Sequence, residues 1–140
     1  MNGILLDTNV VSEAARPEPD ANVMAFLSGE PNLWLSAIVL HELEYGIGLM
    51  APGRRRDAIA SAVRQLASVV RRVVPVGPAE AEHAAELRVQ ARRAGRSLDL
   101  GDALIAATAG VRRLALATRN VSHFEGLDLR LIDPWVDAGA

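Results

Sequence analysis

Short apolar runs alternating with stretches of helical spacing constrain this chain more than any other feature. The first run, Gly3-Ile4-Leu5-Leu6, stops abruptly at an acid, Asp7, which opens the polar tripeptide Asp7-Thr8-Asn9. A brief run without alternation that ends at a charge reads as a buried parallel strand delivering that charge at its carboxyl end. Further strands are expected at Leu33-Trp34-Leu35, at Val73-Val74-Pro75-Val76, over 114–118 and over 129–132. Pro75 predicts an irregular or edge position for the third of these. Helices are expected between the runs: Thr8 to Glu13, Asp20 to Ser28, Ala37 to Met50, Arg54 to Arg72, Pro78 to Ala94 and Asp99 to Val111. Asp20 and Ser36 are predicted N-caps, Pro78 starts its helix near N1, and Gly95 stops it. Arg119 to Asp128 reads as loop or a short helical turn. The alternation predicts an α/β fold with a central parallel sheet of four to five strands flanked by helices.

Composition narrows the function. The chain has 140 residues, enough for one domain with a proper core, and 50 % of them are hydrophobic. No run approaches the roughly eighteen apolar residues of a membrane span. The N-terminus has no basic segment ahead of its first strand, so no secretory signal is expected, and a cytoplasmic location fits. Cysteine is absent, which excludes disulfides, thiolate catalysis and cysteine zinc sites. Net charge is −2, which does not suggest a bulk polyanion binder. All fifteen basic residues are arginine, the better side chain for bidentate phosphate contacts, although source-genome composition accounts for this more simply. The Arg54–Arg56 run reads as a solvated helix end.

Three acids carry the chemistry. Asp7 ends the first strand, and in open α/β sheets ligands bind at that edge. Asp102 stands in Asp99-Leu-Gly-Asp-Ala-Leu-Ile-Ala-Ala-Thr-Ala109; its helical neighbours are Ile105, Ala106 and Ala109, so its carboxylate falls on an apolar stripe. A buried carboxylate requires a partner, and without lysine the candidates are an arginine, backbone donors or a bound cation. Asp99 reads first as an N-cap and second as a supporting acid. Glu42 shares its helical face with Ile38, Val39, Tyr45 and Gly46, and a glycine inside a helix suggests that something approaches closely there. Glu44 and His41 read as solvated. Thr118 and Asn120 close the strand over 114–118 and could bind a metal-bound water, an acid or a phosphate; an asparagine there is equally an ordinary turn residue. His41, His83 and His123 are dispersed, so a zinc site is not expected.

Clustered carboxylates suit hard divalent cations, which prefer oxygen ligands. Such an ion lowers the pKa of a bound water and neutralises charge building on a phosphoryl oxygen. Acids converging on one sheet edge therefore favour phosphodiester hydrolysis over sugar or acyl chemistry.

Taken in order, Asp7-Thr8-Asn9, Glu42-Leu43-x-x-Gly46, Asp102 to Ala109 and Thr118-Arg-Asn120 resemble a PIN domain, and more narrowly the VapC-type toxins of type II toxin–antitoxin modules. The resemblance runs from Ile4 to Trp135, and the closing Ile132-Asp-Pro-Trp135 fits the branch that includes FitB-like proteins. It implies a PIN-like three-layer fold, a homodimer and Mg²⁺- or Mn²⁺-dependent endoribonuclease activity. Asp7, Glu42 and Asp102 match the family's first three acids and would hold the metal, with Asn9 and Thr118 in support. The fourth acidic position falls on Asn120, which supplies no charge for a second ion; Asp99 is the candidate to compensate. The resemblance also implies a VapB-like antitoxin partner whose tail lies across the acidic pocket and places a basic side chain there.

Two rival readings stand beside it. An aspartyl-nucleophile phosphatase needs a second acid two residues after the first, where this chain has Asn9. A catalytically weak PIN-like module would bind RNA or a protein partner without cleaving, with Asn120 and the negative net charge in its favour.

Overall fold

The computed structural model describes residues 3–70 and 72–136. The elements run β1 (Ile4–Leu6), α1 (Thr8–Ala14), α2 (Ala21–Gly29), β2 (Leu33–Ser36), α3 (Ala37–Leu49) and α4 (Arg54–Val69). They continue with β3 (Arg72–Val74), α5 (Pro78–Arg93), α6 (Leu100–Arg112), β4 (Ala115–Ala117), α7 (Val121–Phe124) and β5 (Leu131–Ile132). The five strands form one all-parallel sheet in the order β3-β2-β1-β4-β5. The α/β reading and the flanking helices are borne out.

Strand order decides where the site lies. From β1 the chain crosses to β2 on one side, whereas from β4 it crosses to β5 on the other. The connections diverge between the neighbours β1 and β4, and such a switch point opens a crevice at the strands' carboxyl ends. Asp7 follows β1 there and Thr118 follows β4.

The core explains why the strands carry so little pattern of their own. Leu5, Leu6, Leu35, Leu116 and Ala117 have no exposed surface, as strands covered on both faces require. α6 presents the wholly buried Ala103, Ala106, Ala107 and Ala109, small side chains that let it pack closely on its neighbours. At Gly110 an added Cβ would stand 3.0 Å from His83 Nε2 of α5, so the two helices touch there almost backbone to side chain.

The local signals act largely as expected. Asp20 Oδ1 accepts from the backbone of Asn22 at 2.8 Å and of Val23 at 3.2 Å, capping α2. Ser36 caps α3 through Ile38 N at 3.2 Å. α5 starts at Pro78, with Glu80 reaching back to Gly77 N at 2.8 Å, and beyond its end Gly95 takes φ +76°. Several boundaries differ: β4 is Ala115–Ala117 within the expected 114–118, and β5 starts at Leu131 rather than at 129. α4 ends at Val69 rather than Arg72, because Arg72 pairs with Trp34 in the sheet; Arg71 lies outside the described residues. β3 ends at Val74, ahead of Pro75, whose nitrogen has no hydrogen to donate, and it is an edge strand as that proline predicts. Among the described residues no helix is long and apolar enough to cross a membrane.

Candidate active site

Asp7 is 5 % exposed and is held from three directions. It caps α1, with Oδ1 accepting from Thr8 N at 2.8 Å. Its Oδ2 accepts from Thr118 Oγ1 at 2.7 Å and from Asn9 Nδ2 at 3.3 Å. The carboxylate is thereby locked in one rotamer at the mouth of the crevice. Thr118, with no exposed surface, is the hub of this network. Its hydroxyl donates to Asp7 and accepts from Asn120 N at 3.0 Å and Asn9 Nδ2 at 3.4 Å. Asn9 Oδ1 in turn accepts from Arg119 N at 3.2 Å. The tripeptide after β1 is thus laced to the tripeptide after β4.

Glu42 enters from α3, with Oε1 accepting a short hydrogen bond from Thr8 Oγ1. Its other oxygen lies over Gly101 of α6: a Cβ on that glycine would stand 3.0 Å from Glu42 Oε2. The close approach expected at Gly46 does not occur, since nothing lies within 4 Å of a Cβ there. Gly46 and Tyr45 face outward, and the approach falls on Gly101 instead. Glu44 is exposed and pairs with Arg64 at 3.0 Å, and His41 is exposed beside Tyr45, in keeping with a solvated face.

Asp102 is half-buried rather than sealed in the core, and the side chain that meets its carboxyl is a histidine rather than an arginine. His123 Nδ1 stands 3.3 Å from Asp102 Oδ2. His123 lies within α7, three residues after Asn120, at a position that gives no periodic signal. Asp99 is the N-cap of α6 and accepts from Asp102 N at 2.8 Å, so the capping role holds. Burial, then Asp99 and Asp7, push the Asp102 carboxyl up to about 6, against the pull of His123. Burial also raises Asp7, with Thr118, Thr8, His123 and Asn9 working in the opposite direction.

Asp7, Glu42, Asp102, Asn9 and Asn120 line one cleft of about 530 Å³. Asp99 lines an adjoining hollow with Asp102 and His123. The sequence assigned no role to the cleft residues Glu13, Arg16, Arg119 and Trp135. Glu13 is 7 % exposed, accepts from Arg16 Nη1 at 3.1 Å and Asp20 N at 2.9 Å, and so stations Arg16 at the cleft. Arg119 lays its guanidinium over the Trp135 ring at 5.0 Å, and both belong to the cleft wall.

This donor set fits a hard divalent cation. Asp7 and Asp102 resist ionisation because they are desolvated, and Asp102 also because it faces other acids; a positive ion relieves both. Among the described residues, no three Asp, Glu or His side chains gather tightly enough to cage an ion alone. Two carboxylates with water in the remaining positions match the habits of Mg²⁺, which keeps much of its hydration. Glu42, tied to Thr8 and packed on Gly101, stands beside that pair as a hydrogen-bonding carboxylate.

Comparison with known proteins shows the family and the fold. The family model described as PIN domain matches residues 4–127. The chain is 37 % identical over 139 residues to VapC ribonuclease Y4jK of Sinorhizobium fredii, covering 96 % of this chain and 99 % of that protein. It is 35 % identical over 138 residues to Toxin FitB of Neisseria gonorrhoeae, covering 96 % and 99 %. The crystal structure of FitAcB from Neisseria gonorrhoeae superposes with a TM-score of 0.86 at 34 % identity, over 95 % of this chain and 99 % of that one.

Proposed function

This chain belongs to the PIN domain family, and we propose that it is a single-domain endoribonuclease, the toxin of a type II toxin–antitoxin module. The observation that supports this most is the convergence of Asp7, Glu42 and Asp102 on one cleft at the β1–β4 switch point. The names of the related VapC ribonuclease and FitB toxin point to the same activity. The cofactor in this reading is Mg²⁺ or Mn²⁺, which Asp7 and Asp102 would hold and which would supply an acidified water and offset charge on the phosphoryl oxygens.

The chain's own groups do the rest. Thr118 and Asn9 fix the Asp7 carboxylate, so no rotamer search precedes catalysis. Glu42, oriented by Thr8, receives the proton lost by the attacking water. Arg16 flanks the acids and holds a backbone phosphate of the substrate. Asn120 adds a neutral polar group where a fourth acid would add charge, which favours one tightly held ion over two.

The protein's own inhibitor is a VapB-like antitoxin in this reading. A basic side chain from its tail would replace the cation among the acids. A homodimer and a cytoplasmic location complete the proposal.

The test is cleavage of a small-RNA pool by the purified chain, freed of antitoxin, with Mg²⁺, with Mn²⁺ and with EDTA. An Asp7→Ala control runs beside it. Discrete metal-dependent products absent from the control are expected. Folded protein that binds RNA without cutting it under any metal would instead indicate a PIN-like binding module.

A further inference from the structure

Two arginine–tryptophan stacks occur in the fold, at opposite ends of the sheet. At the amino end Arg72 lies 5.0 Å from the Trp34 ring centroid. Asn32 Oδ1 closes that stack, accepting from Trp34 Nε1 at 3.1 Å and from Arg72 Nη1 at 2.8 Å. The indole fills the space that Gly3 leaves: a Cβ there would fall 2.2 Å from Trp34 Nε1. That pair is a structural clamp.

The second stack, Arg119 on Trp135 at 5.0 Å, is different in its surroundings. Both residues line the cleft that holds the three acids. Both are fixed through the backbone rather than through their tips. Arg119 N donates to Asn9 Oδ1 at 3.2 Å, which ties it to the support of Asp7. Trp135 N donates to Asp133 Oδ1 at 2.9 Å, and Trp135 O accepts from Asn22 Nδ2 at 2.7 Å. The ring is therefore delivered to the cleft by an anchored main chain, and Arg119 itself is exposed.

We propose that the Arg119–Trp135 stack is a nucleobase platform, on which a base of single-stranded RNA next to the scissile phosphate is laid. The inference rests on the ribonuclease reading and adds to it the part of the substrate that this wall contacts. A guanidinium already lying over an indole ring offers an unpaired base a flat cationic and aromatic surface, and stacking on aromatic rings or arginine planes is how unpaired bases are held. Because every base has such a face, the platform would grip RNA without dictating its sequence.

Trp34→Phe leaves Trp135 as the one tryptophan of the chain, a fluorescent reporter at the proposed platform. In that background, with Asp7→Asn to prevent turnover, the full chain is titrated with hexa-adenylate. A hexameric abasic ribose-phosphate of equal charge is titrated in parallel. Hexa-adenylate is expected to quench Trp135 and to bind about tenfold more tightly than the abasic strand, the size of one base stack. Arg119→Lys keeps the charge but loses the plane. It should erase that tenfold preference and leave abasic binding unchanged; Trp135→Leu, which removes the fluorophore and is therefore titrated by calorimetry, should do the same. In Asp7-intact protein either change should raise KM for RNA with kcat retained.

Equal affinity for the two strands, saturation without a change in Trp135 emission, or no binding of either strand would overturn the platform. Failure of the ribonuclease reading looks different: a base-dependent quench in a protein whose Asp7-intact form never cleaves RNA.

Discussion

Thr118 Oγ1 donates to Asp7 Oδ2 at 2.7 Å, joining residues 111 positions apart across the β1–β4 boundary. One buried hydroxyl thus sets the orientation of the leading candidate ligand and receives two further donors, from Asn9 and Asn120. Thr118→Val keeps the shape and removes both functions. We expect a loss of about 1–3 kcal/mol in stability, since a buried carboxylate loses a donor, and a fall in cleavage rate of at least about tenfold. Chemical denaturation and RNA cleavage measure the two; an unchanged rate would show that Asp7 needs no positioning from β4.

Asp7→Asn separates charge from fold. The substitution keeps one of the two acceptor oxygens, sets an amide NH₂ where the other accepted, and removes a charge that burial disfavours. The two effects on stability oppose, so thermal stability without metal at pH 7 should change little, whereas RNA cleavage should fall by about 100-fold or more. A large drop in melting temperature alongside lost activity would leave the catalytic assignment unsupported.

Asp102 gives the protein a pH signature. Its folded carboxyl keeps its proton up to about 6, above the ordinary 3.8. Below 3.8 both folded and unfolded forms are protonated and the group contributes nothing. As pH rises from about 4 to 6, the unfolded form ionises first, and stability falls by about 1–3 kcal/mol. Metal-free protein should lose melting temperature across that window, and Mg²⁺ should restore more of it at pH 7.5 than at pH 4.5. An Asp102→Asn variant should lack this component; an identical profile in that variant would refute the assignment.

Gly101→Ala should move stability and activity in opposite directions. Alanine favours the helix by about 1 kcal/mol. Its Cβ, however, would press at 3.0 Å on Glu42 Oε2, which Thr8 holds from the other side. A melting temperature equal to or above the parent's, with kcat lowered several-fold, is the expected pair of results. Full activity would mean that Glu42 yields without consequence.

Glu13→Gln tests the anchoring of Arg16. The neutral amide keeps an acceptor for Asp20 N but weakens its hold on the guanidinium. KM for RNA should rise a few-fold while kcat stays near the parent value. A change in kcat alone would place Glu13 among the reacting groups rather than behind them.

Much of this molecule was legible in its order of residues. Short apolar runs marked β1, β2 and β4 most plainly, because strands buried inside the sheet need no polar alternation. Asp20, Ser36, Pro78 and Gly95 marked helix ends through local capping chemistry, and Asp7 declared itself by ending a strand with a charge. Asp99 as a cap was local in the same sense, its carboxylate meeting the amide three residues on. The edge position of β3 followed from Pro75.

The tertiary structure decided which of these pieces meet. Strand order is absent from any periodicity, so nothing local could place Thr118 against Asp7 or His123 against Asp102. The glycine under Glu42 proved to be Gly101 of another helix rather than Gly46 of its own, since helical spacing describes one helix and not its neighbour. Glu13 and Arg16, and the stack of Arg119 on Trp135, were equally silent. Their significance lies in contacts through space, and those exist only once five parallel strands have fixed which carboxyl ends share a cleft.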